Sequence, residues 1–224
     1  LRSRVKSVLV WSVALAGIIL LFMSLFQGFS EQAALVSELM QSFPPELLIA
    51  FGMTNLDFAG PFEALARMPN TVISVLAKSV EPIRTDIGGM VLPNMGLQQS
   101  PALDMLFIGG GPGINQLLED DVILDFLRER APAAQWITSV CTGALVLGAA
   151  GLLRGYKAAT HWTAMEALRP FGALPTHERI VIDRNRITGG GVNAGIDFAL
   201  TIAKILHGPE VAQAIQLGME YDPA

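Results

Sequence analysis

The 224-residue sequence contains one cysteine, only three histidines and few charged residues. A lone cysteine excludes an intrachain disulfide, and His161, His177 and His207 lie too far apart to form a zinc-binding motif. Lysine and arginine total 15 against 20 acidic residues, which gives a net charge of −5. Because no basic cluster follows Lys6, we predict no nucleic-acid partner. The single cysteine and the scattered histidines predict no metal site.

Charge is also missing from residues 7–30, directly after a basic start that ends at Lys6. Residues 8–26 are nearly all apolar and have about the length that crosses a ~30 Å hydrocarbon core. A transmembrane anchor fits this length and the basic flank, whereas a signal peptide lacks its usual small-residue cleavage site. A buried helix fits least because no polar stripe is present. We therefore treat residues 1–45 as a hydrophobic N-terminal segment with a candidate transmembrane helix at 8–26.

The start of the chain also resembles a known class of membrane protein. Its basic start, its tryptophan-containing apolar run and the sequence FPPELLIAFGM resemble the N-terminal end of ABC-2-type transporter permeases over residues 1–53. A gene fusion near residues 50–54 would explain how such a segment precedes a different domain. If residues 8–26 insert into a membrane, they anchor whatever follows.

From residue 46 onward, apolar runs alternate with helical patterns. Runs without polar alternation are typical of strands covered on both faces, and strand–helix alternation predicts a mostly parallel sheet between helices. We therefore predict an α/β domain over residues 46–224. The predicted strands are 47–51, 71–77, 104–110 and 136–140, with a hairpin at 179–189 that turns at 183–185; the predicted helices are 60–68, 120–131, 142–153, 193–206 and 209–220.

The cysteine, Cys141, lies in QWITSVCTGALVLG, where a strand should end and a helix begin. Ser139 and Gly143 stand two residues to either side, and a nucleophile elbow needs small residues there because strand and helix approach closely. A helix that starts at Thr142 would direct its amides at the sulfur, so we expect a lowered thiol pKa. A buried structural cysteine is the alternative, since free cysteine is commonly buried.

Two further segments should end near Cys141 at the carboxyl edge of the sheet. Asp57, in TNLDFAGP, would place a carboxyl beside the thiol, where it can donate or accept a proton; capping a helix or turn is its alternative role. In FIGGGPG, a backbone amide of Gly110 or Gly111 would face the pocket and stabilise negative charge, unless the glycines only form a turn. The G-x-G-x-x-G spacing of a dinucleotide loop is absent.

These motifs identify a family. SVCTGALVLGAAGLLRGYKAATHW, with LDFAGPFEAL before it and GGGVNAGIDFAL and QLGMEYDPA after it, resembles the ThiJ/PfpI superfamily of class I glutamine-amidotransferase-like proteins over residues 48–224. The branch that it most resembles is that of the isonitrile hydratases. The resemblance implies a flavodoxin-like three-layer sandwich, a homodimer, a cytoplasmic catalytic domain and no cofactor.

The resemblance also implies roles for individual residues. In isonitrile hydratases the acid that matches Asp57 is the partner of the cysteine. Thr142 stands where protease-like members have histidine, which argues against protease activity, although a threonine there would also cap the helix. Family members often place a histidine near the thiol from the segment that holds His161. The predicted site thus comprises catalytic Cys141, Asp57 and Thr142, and substrate-binding Gly110, Gly111 and His161.

The activity that follows is hydration of an isonitrile to an N-substituted formamide by a cysteine nucleophile. A ligand-sensing module is the alternative, because AraC-type regulators carry a similar domain. Such regulators add basic DNA-binding helices, and none follow here before EYDPA. A thiol that responds to oxidants is the third reading of Cys141.

Overall fold

The structure, a computed structural model, describes residues 53–223. They form six α-helices, ten short strands and three 3₁₀ segments. The helices are α1 Asn55–Leu65, α2 Ile114–Leu117, α3 Asp121–Arg130, α4 Gly143–Ala149, α5 Ala194–His207 and α6 Pro209–Gly218. The strands are β1 Leu76–Ala77, β2 Ile83–Arg84, β3 Met90–Val91, β4 Met95–Gly96, β5 Met105–Ile108, β6 Trp136–Val140, β7 Lys157–Ala158, β8 Leu174–Pro175, β9 Ile180–Asp183 and β10 Arg186–Gly189. The 3₁₀ segments are Leu97–Gln99, Trp162–Ala164 and Glu166–Phe171.

A four-stranded sheet in the order β5–β6–β10–β9 lies at the centre of this part of the chain. β6 pairs in parallel with both β5 and β10, while β9 and β10 form an antiparallel hairpin. Strands β1 and β4, and likewise β7 and β8, form parallel two-stranded sheets, and β2–β3 is an antiparallel pair. The predicted α/β class and the mostly parallel central sheet are confirmed for these residues.

Helices cover both faces of this sheet because its strands are apolar on both sides. Leu106 and Ile137 join one buried cluster with side chains of α2, α3 and α4. Their neighbours along the strands, Phe107 and Trp136, face a second cluster built from α1, α5 and α6 around the fully buried Phe198. Successive strand residues point to opposite faces, so the alternation produces three layers.

Helix α1 starts five residues before the predicted helix 60–68. The prediction was wrong because Gly60-Pro61 was read as a helix start, whereas both residues lie inside the helix. Their function is packing: a Cβ on Gly60 would lie 3.3 Å from the Ile196 side chain, and one on Gly195 would lie 2.8 Å from Pro61. The two glycines therefore let α1 and α5 approach closely.

The predicted strand 71–77 is also wrong in length, since only Leu76–Ala77 is a strand. The backbone of the preceding residues is hydrogen-bonded by a side chain instead of a strand ladder. The Val75 amide donates to Asn94 Oδ1 at 2.9 Å, and the Asn94 side-chain amide donates to the Ile73 carbonyl at 3.4 Å. The apolar run 71–77 was therefore predicted as one strand, although the Asn94 side chain supplies hydrogen bonds to its middle residues.

The remaining predicted elements are found close to their expected places. Strand β6 coincides with the predicted run 136–140, and the β9–β10 hairpin turns at Arg184, whose φ of 55° suits a tight turn. Helix α3 is capped by Asp120, whose carboxylate accepts from the Ile123 amide at 3.4 Å. Helices α3 to α6 are each shorter than predicted by a few residues or shifted by one.

Some predictions fall on residues outside the described range. These are the strand at 47–51, the domain boundary between 45 and 46, and the candidate transmembrane helix at 8–26. Within residues 53–223, no helix has both the length and the apolar character needed to cross a membrane.

The close α1–α5 contact predicts a stability effect. Gly195→Ala would drive a methyl group into Pro61, so we expect a loss of about 1–3 kcal/mol in the free energy of unfolding. Gly218→Ala in α6 is the matched control, because its added Cβ meets nothing within 4 Å and removes glycine flexibility. Urea denaturation of both variants measures the difference; equal stabilities would contradict the packing argument.

Candidate active site

Cys141 lies between β6 and α4 in a left-handed backbone conformation, with φ of 53°. Few non-glycine residues adopt this conformation, and hydrogen bonds hold it here. The Cys141 amide donates to the carbonyls of Gly189 at 3.1 Å and Gly190 at 2.7 Å. The Thr160 hydroxyl donates to the Cys141 carbonyl at 2.8 Å. The predicted elbow is therefore present, with its backbone fixed on both sides.

Two glycines make room for this elbow. A Cβ on Gly143 would lie 2.3 Å from the Ile108 carbonyl oxygen. A Cβ on Gly110 would lie 2.5 Å from the Thr142 nitrogen and 2.7 Å from the Cys141 Cβ. No side chain larger than hydrogen fits at such distances, so the close approach inferred from the sequence is confirmed.

Asp57 occupies the first turn of α1 and is fully buried. Its Oδ2 accepts a hydrogen bond from the Gly110 amide at 3.1 Å. The Cys141 thiol interacts with the same carboxyl, and Asp57 Oδ1 has no hydrogen-bond partner within residues 53–223. Thr54 takes the N-cap position, so Asp57 is not the cap. Gly110 packs against Cys141 and bonds to Asp57, so the structure brings the predicted acid and thiol together at this glycine.

Burial dominates the protonation of this pair. It raises the pKa of Asp57 to about 6, against the lowering effects of the Cys141 thiol and the Gly110 amide, and nearby Asp86 raises it further. Burial, followed by the negative charge of Asp57, raises the pKa of Cys141 to about 12. The expected lowering of the thiol pKa is therefore wrong, because the Thr142 amide at the helix start is outweighed.

Of the two groups, only Asp57 therefore loses its proton near neutral pH. Above pH 6 the carboxylate carries one negative charge while the sulfur keeps its proton. Transfer of that proton from sulfur to oxygen creates a thiolate and a neutral acid without changing the charge of the pair. The arrangement can therefore supply a nucleophile and an acid together.

Thr142 and the glycine loop 109–111 form a clip around the acid. The Gly111 amide donates to Thr142 Oγ1 at 3.0 Å, and the Thr54 amide donates to the Gly110 carbonyl at 2.8 Å. The amides of Gly110 and Gly111 thus bond to Asp57 and Thr142 and hold the site together. The Thr142 side chain does not cap α4.

His161 lies half-buried at the segment that follows Thr160. Its Nδ1 accepts from the Thr163 amide at 3.4 Å and is 2.7 Å from the Thr163 hydroxyl, so Nε2 carries the ring proton. Burial lowers its pKa, which keeps the ring neutral. The ring packs against Gly191, where an added Cβ would lie 3.4 Å from Cδ2. Its hydrogen bonds therefore go to Thr163 and not to the thiol.

Comparisons with known proteins agree with this geometry. The DJ-1/PfpI family model matches residues 46–205. The chain belongs to the DJ-1/PfpI family. It is 46% identical over 170 residues to isonitrile hydratase from Pseudomonas putida, spanning 76% of this chain and 75% of that protein. A ThiJ/PfpI family protein from Pseudomonas syringae has a similar crystal structure, with a TM-score of 0.76 at 43% identity, over 77% of this chain and 72% of that one.

The family also includes regulators. The HTH-type transcriptional regulator GbdR of Pseudomonas aeruginosa is 34% identical over 57% of this chain, which is 35% of the regulator's length. The family resemblance expected from the motifs is confirmed. Because the relatives include both an enzyme and a regulator, membership of the DJ-1/PfpI family does not by itself determine the activity.

Sequence reasoning missed four residues that contribute to this DJ-1/PfpI site. Thr160 directly precedes His161 in ATHW, and this position beside a candidate site residue was the available signal in the sequence. The carbonyls of Gly189 and Gly190 come from the GGGVNAG motif, which was used only to recognise the family. Asp86 gave no signal, because it reaches the start of α1 from the β2–β3 hairpin and accepts from the Asn55 amide at 3.0 Å.

Within residues 53–223, no three or more His, Cys, Asp or Glu side chains converge in a way that could hold a metal ion.

The raised pKa of Asp57 predicts a pH-dependent stability. The Asp57 carboxyl binds a proton more tightly in the folded state than in the unfolded chain. The free energy of unfolding therefore falls as pH rises from about 4 to about 6. The full effect is about 3 kcal/mol for a shift of this size. Asp57→Asn should flatten this part of the profile and be more stable than the wild type at pH 7. Urea denaturation from pH 4 to 7 measures it; parallel profiles for the two proteins would contradict the shift.

The clip predicts a second effect, at Thr142. Thr142→Val removes the acceptor of the Gly111 amide while keeping the side-chain shape, so we expect a loss of about 1–3 kcal/mol in unfolding free energy. Thr142→Ser keeps the hydroxyl and should lose clearly less. Denaturation midpoints of the pair decide the matter, and a serine variant as unstable as the valine one would refute the role of the hydroxyl.

Proposed function

We propose that this domain hydrates an isonitrile, R–N≡C, to an N-substituted formamide. The observation that carries the proposal is the buried Asp57–Cys141 pair, which holds one proton between a potential nucleophile and a potential acid. The 46% identity to an isonitrile hydratase supports the same reaction. The pair is suited to a substrate whose terminal carbon must gain both a nucleophile and a proton.

In the first step, the thiol proton passes to Asp57 and the Cys141 sulfur bonds to the terminal carbon of the isonitrile. Asp57 then delivers that proton to the same carbon. The product is a thioimidate, R–N=CH–S–Cys141, which contains every atom of the substrate and of the thiol. The carboxylate is left ionised, as the resting pair requires.

In the second step, water attacks the thioimidate carbon while Asp57 accepts one of its protons. Asp57 passes that proton to the nitrogen, the carbon–sulfur bond breaks, and the second proton of the water leaves the new carbonyl oxygen as R–NH–CHO forms. Asp57 relays this second proton to the sulfur, so the carboxylate is ionised and the thiol protonated again, as at the start. General acid–base assistance of this kind contributes about 10²–10⁴ in rate.

The surroundings of Cys141 favour a small reacting group. Only 3% of Cys141 is exposed, and the isonitrile group is slender and has no net charge. We assign Thr142 to the catalytic site, where its hydroxyl accepts from the Gly111 amide. We assign Gly110 and Gly111 to the loop that holds Asp57 against the substrate. His161 is proposed to border the substrate from the opposite segment. The homodimer, the cytoplasmic location and the membrane contact of residues 8–26 stay predictions.

A ligand-sensing or thiol-oxidation role is the second candidate, and the similarity to GbdR favours it. A sensor would bind a small molecule without converting it. Mild peroxide followed by mass spectrometry of Cys141 tests the redox version, and its high thiol pKa predicts slow oxidation.

Incubation of the full chain with a simple alkyl isonitrile tests the proposed activity directly. We expect formamide to form with the wild type, none with Cys141→Ala, and a rate about 10²–10⁴-fold lower with Asp57→Asn. Mass spectrometry follows the product, and circular dichroism verifies folding of the variants. Full activity in either variant, or binding without turnover by the wild type, would defeat the proposal.

A further inference from the structure

We propose that Arg179 is a positioning residue, which acts through the glycine loop 189–193 to hold Cys141 against Asp57. This inference rests on the proposed function for its catalytic consequence. The loop is the backbone partner of the nucleophile, because the Cys141 amide donates to the Gly189 and Gly190 carbonyls. Whatever fixes the loop therefore fixes the elbow.

Arg179 holds this loop at its start through the main chain. The Gly190 amide donates to the Arg179 carbonyl at 2.9 Å, while the Gly190 carbonyl accepts from Cys141 at 2.7 Å. A Cβ on Gly190 would lie 3.5 Å from the Arg179 carbonyl oxygen. A single residue, Gly190, thus links the backbone of Arg179 to that of Cys141.

The Arg179 side chain holds the end of the same loop. Its Nε donates to Asp197 Oδ2 at 2.6 Å. Its two terminal nitrogens donate to the Asn193 side-chain oxygen at 3.3 Å and to the Asn193 carbonyl at 3.0 Å. Asn193 ends the loop and Asp197 lies in the first turn of α5. Arg179 therefore bridges both ends of the loop whose carbonyls accept from the Cys141 amide.

A contribution to the free energy of folding does not explain the contacts of Arg179. The Arg179 side chain is 49% exposed and that of Asp197 is 22% exposed, and ion pairs so exposed add little to the free energy of folding. The planar guanidinium instead supplies several hydrogen bonds in fixed directions. The Tyr221 hydroxyl also interacts with both members, so the C-terminal residues join the same cluster.

Loss of the guanidinium would release the loop and let the sulfur move away from the acid. Proton transfer from Cys141 to Asp57 needs direct contact, and a displacement of about 1 Å at a reacting centre costs about 10²-fold in rate. The effect belongs to kcat, since Arg179 does not border the proposed substrate position.

The test uses the full chain with Arg179→Ala, Arg179→Lys and Asp197→Asn. We expect Arg179→Ala to lower kcat for isonitrile hydration about tenfold or more with KM within twofold, Asp197→Asn to act similarly, and lysine to restore part of the rate. Arg169→Ala is the matched control, because Arg169 also pairs with one exposed acid, Glu166, far along the chain from the loop. It should leave kcat unchanged.

A second measurement separates this inference from the proposed activity. Alkylation of Cys141 by iodoacetamide at pH 7, without any isonitrile, should be severalfold faster in Arg179→Ala, because a sulfur that moves away from Asp57 escapes the burial and the negative charge that raise its pKa. It should be unchanged in Arg169→Ala. If the wild type hydrates no isonitrile, the alkylation rates still decide the positioning role. Alkylation that is unchanged or slower in Arg179→Ala, or an equal change in Arg169→Ala, would overturn it. If the alanine variant fails to fold, Asp197→Asn carries the same comparison.

Discussion

One proton shared by two buried groups governs the chemistry that this domain can perform. Neither Asp57 nor Cys141 has a positively charged partner among the interactions described for them. The Asp57 carboxylate makes the Cys141 thiol harder to deprotonate, whereas the thiol makes Asp57 easier to deprotonate. Burial raises the pKa of both groups because the interior solvates and screens charge weakly. A free thiolate is therefore not the resting state. In the proposed reaction, the thiolate forms only when the carboxylate beside it accepts the proton.

Close backbone approach is what allows this contact to exist. Three separate chain segments meet at the pair: the start of α1, the loop after β5 and the turn after β6. Gly110 and Gly143 let these segments come within distances that any Cβ would prevent. The Gly110 amide then bonds to Asp57, and Gly111 bonds to Thr142. The same glycines thus fix the geometry and satisfy polar groups that would otherwise be buried without partners.

The sequence allowed the strand end at Cys141, the flanking small residues and the partnership with Asp57 to be predicted, because each rests on local spacing or on family motifs. It did not allow the thiol pKa to be predicted. The helix-start argument considered one favourable amide, whereas the desolvation of Cys141 depends on residues distant in sequence. Asp86 escaped for the same reason, since a hairpin brings it to α1. The Gly60-Pro61 pair misled because close helix packing and helix initiation use the same residues.

Constant charge is the advantage of a paired site over an isolated thiolate. The amide at the start of the short helix α4 does not offset the free-energy cost of burying a sulfur anion, as the raised pKa of Cys141 shows. In the pair, the negative charge is already present on Asp57 before reaction and only moves to sulfur. The surrounding amides therefore need little reorganisation when the nucleophile forms, which is how a preorganised site lowers a barrier. Asp57 must be ionised for this, so its pKa near 6 places the pair in the working state at neutral pH.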